Sequence, residues 1–217
     1  MVLVPPRVVV CADAARWGTH RCVRLIERLA PVAPPGAMGV WDRDPERDSN
    51  ASSLSVRRDR LEALREATAE HGHPLIVGAR VDLALAVKAE GVHLPEHGLD
   101  AEVVRRTFPQ LVVSRSCHDQ AGLWDAQQSG AAWATLSPFL SPRSKASTRA
   151  PLGAERFSQL IDGLSMPVVA LGGLSSGDLE SCRRAGAAGL ALSGALFESA
   201  HPERLLESLI SGWSKAL

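Results

Sequence analysis

The chain has 217 residues, and its 24 Lys plus Arg balance its 24 Asp plus Glu, so the formal net charge is zero. That balance gives no reason to expect nucleic acid or an anionic membrane as partner, and no apolar run approaches the ~20 residues needed to span a bilayer. The four cysteines, Cys11, Cys22, Cys117 and Cys182, show no CxxC spacing, so they read as reduced, buried thiols rather than metal ligands or disulfides.

In chain order, short apolar runs alternate with longer amphipathic ones. The start, "MVLVPPRVVVCAD", lacks the basic region and cleavage site of a secretory signal, and a cytoplasmic protein is expected. The first predicted strand is Arg7–Asp13, followed by the helical pattern "HRCVRLIERLA". The second is Ala37–Asp42. It leads through a long polar loop, Arg43–Ser53, expected to be mobile, into a helix with Leu61, Leu64 and Ala67 at helical spacing. Ser55 is the expected N-cap of that helix and Gly72 its C′ residue. Pro74–Gly78, Gly91–Leu94, Leu111–Ser114, Trp133–Ser137, Pro167–Gly172 and Gly189–Ser193 follow as strands. Asp82, Asp100, Asp119 and Ser176 stand where helices should begin and are expected as caps.

Eight strand-then-helix units, with strands apolar on both faces, predict one domain over residues 1–217, a single α/β (β/α)₈ TIM barrel. An open doubly wound sheet is the competing arrangement. In such a barrel the last two strand–helix loops often build a phosphate site, because unpaired backbone N–H groups point at the anion and glycine permits close approach. Gly172–Gly173 and Ser193–Gly194 stand at those two strand ends. Glycines that merely make tight turns are the structural alternative.

The stretch "ALGGLSSGDLESCRRAGAAGLALSGALF" resembles the C-terminal signature of the thiamine phosphate synthase and thiazole tautomerase family. "SRSCH" (Ser114–His118) is similar to that family's Gly-x-Ser-Thr-His. "SPFLSPRSK" (Ser137–Lys145) is similar to its Gly-Pro-x-Phe-Pro-Thr-x-Ser/Thr-Lys loop, and "ARVDLALAVKAEGVHL" (Ala79–Leu94) to its Asn-Asp-Arg-Val-Asp-Leu-Ala-Leu-Ala…Gly-Val-His-Leu segment. The resemblance covers roughly Met38 to Phe197. It implies a barrel that binds a phosphorylated thiazole, with Gly172, Gly173, Ser193 and Gly194 as the phosphate cradle and Ser144 and Lys145 on the sixth loop. Family members are commonly dimers, so a homodimer is implied as well.

The departures from the family pattern are specific. The synthases join an aminopyrimidine pyrophosphate to the thiazole phosphate with Mg²⁺, using one carboxylate from the Asn-Asp-Arg motif and one from Leu-Gly-Gln-Glu-Asp-Leu. Here Gly78-Ala79-Arg80 and "LPEHGL" (Leu94–Leu99) stand there, leaving Glu96 as the nearby carboxylate. Of the synthases' Gln-x-Arg-x-Lys, only Arg43 persists, and Trp41 stands where Gln would be, narrowing the mouth. The residues therefore favour a metal-independent, tautomerase-like proton transfer without cofactor. His118 would be its acid and base, with Ser116 orienting the substrate or the histidine. The alternatives are a thiamine phosphate synthase with an altered, Mg²⁺-using site, and a non-catalytic thiamine phosphate-binding barrel. Arg43 is expected either to bind substrate or to pair with Asp42 or Asp44, and Cys117 to be structural. His71, His73, His97 and His201 are expected to have no role.

Overall fold

The computed structural model describes residues 4–43, 54–141 and 149–213. The expected mobile loop, from Asp44 onward, and the candidate residues Ser144 and Lys145 lie outside the described residues.

All eight expected strands form, at β1 (Val8–Asp13), β2 (Met38–Arg43), β3 (Leu75–Gly78), β4 (Gly91–Leu94), β5 (Val112–Cys117), β6 (Trp133–Leu136), β7 (Val168–Leu171) and β8 (Gly189–Leu192). Each pairs in parallel with the next, and β8 closes on β1, so the ring is a barrel and not an open sheet. The helices are α1 (Ala14–Trp17), α2 (Thr19–Leu29), α3 (Leu54–Ala69), α4 (Val81–Ala86), α5 (Ala101–Thr107), α6 (Gln120–Gln128), α7 (Gly153–Ile161), α8 (Leu179–Arg184), α9 (Gly194–Phe197) and α10 (Pro202–Trp213). Strand 5 continues beyond Ser114 to Cys117, which carries the following histidine up to the barrel rim.

Two apolar clusters follow from the alternation of side chains along each strand. The larger lies between strands and helices and includes Val8, Val10, Val40, Val77, Val92, Val113, Leu136, Leu190 and the helical Leu61 and Leu64. The smaller fills the barrel itself with Val9, Cys11, Trp41, Ile76, Trp133, Val169 and Ala191. Strands apolar on both faces describe β1, β3, β7 and β8. They do not describe β4, β5 and β6, where His93, Ser114 and Thr135 are buried. These polar groups are tolerated inside because they bond one another.

The caps differ in detail from the expectations. Asp100 accepts from the Glu102 and Val103 amides and Asp119 from the Gly122 amide, as expected. Asp82 lies inside α4, one residue beyond its start, and pairs with Arg80 instead. Ser175, not Ser176, caps the helical turn before α8, in a reciprocal capping box with Asp178. Ser55 lies within α3. Gly72 takes a left-handed φ of +69° just past that helix, and the next amide, His73, returns to the Thr68 carbonyl.

All four cysteines are free and buried, and desolvation pushes each thiol up to about 12. Cys117 faces away from the barrel axis, its thiol 3.3 Å from the Gly122 carbonyl oxygen. It is a packing residue, as expected.

Candidate active site

The C-terminal ends of the strands form a mouth with two unlike sides. On the β7–β8 side, Gly172 and Gly173 have φ of +105° and +68°. A Cβ on Gly173 would lie 2.5 Å from the Ser141 carbonyl oxygen and 2.8 Å from that of Leu140. One on Gly172 would lie 3.0 Å from the Pro138 Cα. Their bare backbone is thus already required by the β6–α7 loop, which donates the Phe139 and Leu140 amides to the Leu171 and Gly172 carbonyls. The tight-turn explanation suffices for this pair.

Ser193–Gly194 is different. A Cβ on Gly194 would meet nothing closer than 3.5 Å, and its φ is not in the left-handed region. Neither packing nor conformation demands glycine there. Ser193 precedes α9 without a side-chain hydrogen bond to cap it. Its hydroxyl instead accepts from the Trp17 indole at 3.0 Å. Trp17 stacks on Phe197 with centroids 4.9 Å apart, and Arg16 lies 4.2 Å over its ring while pairing with Glu198 at 2.8 Å. The short helix α1, which brings these residues to the mouth, is started by Asp13 accepting from the Arg16 amide.

On the β2–β5 side, acids and arginines meet in pairs. Arg43 pairs with Asp13 at 3.1 Å and not with Asp42. Asp42, on the outer face of β2, is fully buried and accepts from Arg57 and Arg60 of α3. Desolvation raises its pKa, and the two guanidiniums oppose that rise. Asp82 pairs with Arg80, whose side-chain hydrogen bond holds the carboxyl below its usual range. Glu96 accepts from Arg149 at 2.8 Å.

His118 sits just past β5. Its Nδ1 lies 2.7 Å from the Ser137 carbonyl oxygen, which can only accept, so Nδ1 carries the hydrogen. Nε2 is the basic nitrogen and faces Glu96 Oε2 at 3.9 Å. Ser116 does not orient His118. Its hydroxyl is 2.8 Å from Nε2 of His93, while Ser137 supplies the contacts that fix His118.

His93 went unassigned in the sequence. It is fully buried in the barrel, and desolvation drops its pKa to about 3, so it is neutral. Ser114 donates to the Val92 carbonyl and can accept from His93 Nδ1 at 2.8 Å, leaving Nε2 to accept from Ser116. Trp41 tilts over the imidazole with centroids 4.3 Å apart, and Trp133 lies beyond it at 5.6 Å. The buried indole N–H groups of both tryptophans find no acceptor among the described residues. Trp41 is thus buried in the barrel interior against His93. The signals for His93 in the sequence were a lone histidine in an apolar strand and its match to the Gly-Val-His-Leu end of the family segment. Of the other histidines, His73 is buried against the Ala30 carbonyl at 2.9 Å, a structural contact.

The family model described as thiamine monophosphate synthase matches residues 21–196. The chain belongs to this family. Among relatives, a thiamine-phosphate synthase of Chloroflexus aurantiacus is 33% identical over 189 residues, covering 87% of this chain and 83% of its own. A Geobacter sulfurreducens protein, provisionally named thiamine-phosphate synthase, is 34% identical over 205 residues, covering 94% and 86% respectively. Among solved structures, thiamine phosphate pyrophosphorylase from Pyrococcus furiosus superposes with a TM-score of 0.79 at 20% identity, covering 99% of this chain and all of the other. That last likeness speaks for the fold.

The family's magnesium does not fit the described residues of this member. Among them, no three His, Cys, Asp or Glu side chains cluster in a metal-binding group. Asp13, Asp42, Asp82 and Glu96 each already face an arginine. Magnesium needs free hard oxygens in near-octahedral array. Ala79 keeps a left-handed φ of +61°, which Asp and Asn adopt far more readily than Ala.

Proposed function

We propose that this protein makes thiamine phosphate, joining a pyrimidine methyl pyrophosphate to a thiazole phosphate. The observation that carries the reading is near full-length similarity, above 30% identity, to relatives bearing the thiamine-phosphate synthase name. That similarity favours coupling over the tautomerase-like transfer that the lost carboxylates had suggested.

In the proposed complex the thiazole phosphate lies on the β7–β8 side. The uncapped first amides of α9 at Ser193–Gly194 are its main contact, with Gly172–Gly173 alongside. Ser144 and Lys145 are assigned to the same phosphate by their match to the family loop. The pyrophosphate lies toward β2–β5, near Arg43 and His118. The thiazole nitrogen attacks the methylene carbon, a C–N bond forms, and the C–O bond to pyrophosphate breaks. Trp41 forms the floor under the rings, and no metal is required.

The test is to incubate the purified protein with both precursors in EDTA and in Mg²⁺ and to quantify thiamine phosphate. Product in both arms is expected, and absence of product in both would overturn the reading. A second reading, a proton shift within a thiazole phosphate, is favoured by one feature, the half-buried His118 with Nδ1 anchored at 2.7 Å and Nε2 without a hydrogen-bond partner among the described residues. Isomerisation of a thiazole phosphate supplied alone, followed by proton NMR in D₂O, would establish it.

A further inference from the structure

A departing pyrophosphate must have its developing charge neutralised, and the described carboxylates that a metal would need are engaged by arginines. The side of the mouth where the family motif would place that metal, at the ends of β3 and β4, instead presents His118 and Glu96. Their side chains are 23% and 24% exposed, open enough to meet a ligand. His118 cannot turn its other nitrogen toward the mouth without losing the Ser137 carbonyl. Its exchangeable proton is therefore on Nε2, on the side of Glu96. The Glu96 carboxylate is itself held by Arg149 at 2.8 Å, and His97 Nε2 lies 3.6 Å from the same oxygen. The 3.9 Å between His118 Nε2 and Glu96 Oε2 is too long for a hydrogen bond, so the proton is not committed to the carboxylate.

We infer that His118, as imidazolium with Glu96 as its counter-charge, is the general acid that protonates the leaving pyrophosphate. This rests on the coupling reaction proposed above. As the methylene C–O bond breaks, its electron pair stays on the pyrophosphate oxygen, which takes the Nε2 proton. The lone pair of the thiazole nitrogen makes the new C–N bond. His118 ends the step neutral and recovers a proton from water. Glu96 acts only through His118 and is a positioning residue, and His118 is the catalytic one.

The experiment compares two leaving groups in EDTA, the natural pyrophosphate and a bromide on the same pyrimidine methylene, after subtracting the uncatalysed rate. Bromide departs without a proton. With pyrophosphate, His118→Asn is expected to lower kcat about 100- to 1,000-fold, the usual range for a general acid. Glu96→Gln is expected to lower kcat about tenfold, with KM for thiazole phosphate unchanged, a counter-charge acting only through the acid. With bromide, both deficits should shrink to within about threefold, because proton transfer no longer contributes. Equal losses with both leaving groups would mean a structural role and overturn the inference, as would no loss at all. If His118→Asn does not fold, Glu96→Gln carries the same comparison. Wild-type coupling that requires Mg²⁺ and is indifferent to His118→Asn would leave the synthase reading standing and remove the general acid. No coupling with either leaving group would remove both.

Discussion

The two sides of the mouth are built by opposite means. The β7–β8 side is built from backbone: glycines, a short helix start and a loop packed so closely that Gly173 has no room for a methyl group. The β2–β5 side is built from charged side chains, each acid against an arginine and one imidazole left facing the opening. Backbone sites tolerate few substitutions because every atom is shared with the fold. Side-chain sites can change ligands while the strands beneath stay in place. That difference is why the glycine-rich β7–β8 side can stay fixed while the charged side varies.

The comparison can be broken first beneath the charged side. Asp42→Ala would leave Arg57 and Arg60 buried without their carboxylate, and a loss of about 3–5 kcal/mol is expected in urea unfolding. Asp13→Ala removes a pair whose arginine is 40% exposed together with the N-cap of α1, and should cost about 1–2 kcal/mol. Similar losses for the two would mean that the buried triad does not support this side.

Next comes the backbone side. Gly173→Ala combines a left-handed φ with a backbone clash and should destabilise by about 2–4 kcal/mol. Gly194→Ala should leave stability within about 0.5 kcal/mol. By crowding the anion at the helix start, it should weaken binding of thiazole phosphate about tenfold, close to 1.4 kcal/mol, by calorimetry. If instead Gly194→Ala binds normally, the cradle is not at that turn.

The third test concerns the neutral imidazole under the floor. His93 titrates near 6.5 when unfolded and at about 3 when folded, so the unfolded chain takes up the proton first as pH falls. Its contribution is complete above about pH 6.5 and is lost below it at up to about 1.4 kcal/mol per pH unit, until about pH 3. His73, also lowered by burial, adds in the same direction. The slope of stability between pH 6.5 and 5 should be steeper for wild type than for His93→Asn. Equal slopes would show that His93 is not buried neutral.

Much of this was legible in the chain. The eight strands, the barrel and the place of Gly172, Gly173, Ser193, Gly194, Arg43, Ser116 and His118 at strand ends came from periodicity, glycine position and motif order. The partners did not. Arg43 was expected to bind substrate or to pair with Asp42 or Asp44; neighbours in a strand face opposite ways, so Asp42 points to α3 and Arg43 to Asp13, while Asp44 lies outside the described residues. Ser116 was linked to His118, two residues away, but it meets His93 across the β4–β5 register. The helix cap at Ser176 failed by one residue, the usual margin where several capping residues adjoin.

The sequence by itself determined the order and kind of elements and which residues reach the rim, because apolar spacing and turn chemistry act over a few residues. Only the closed barrel decided that a histidine lies between two tryptophans, that Trp17 reaches Ser193 and that Glu96 faces His118. Those contacts depend on strand register and on closure of β8 against β1, which bring together residues far apart in the chain and leave no periodic trace in it.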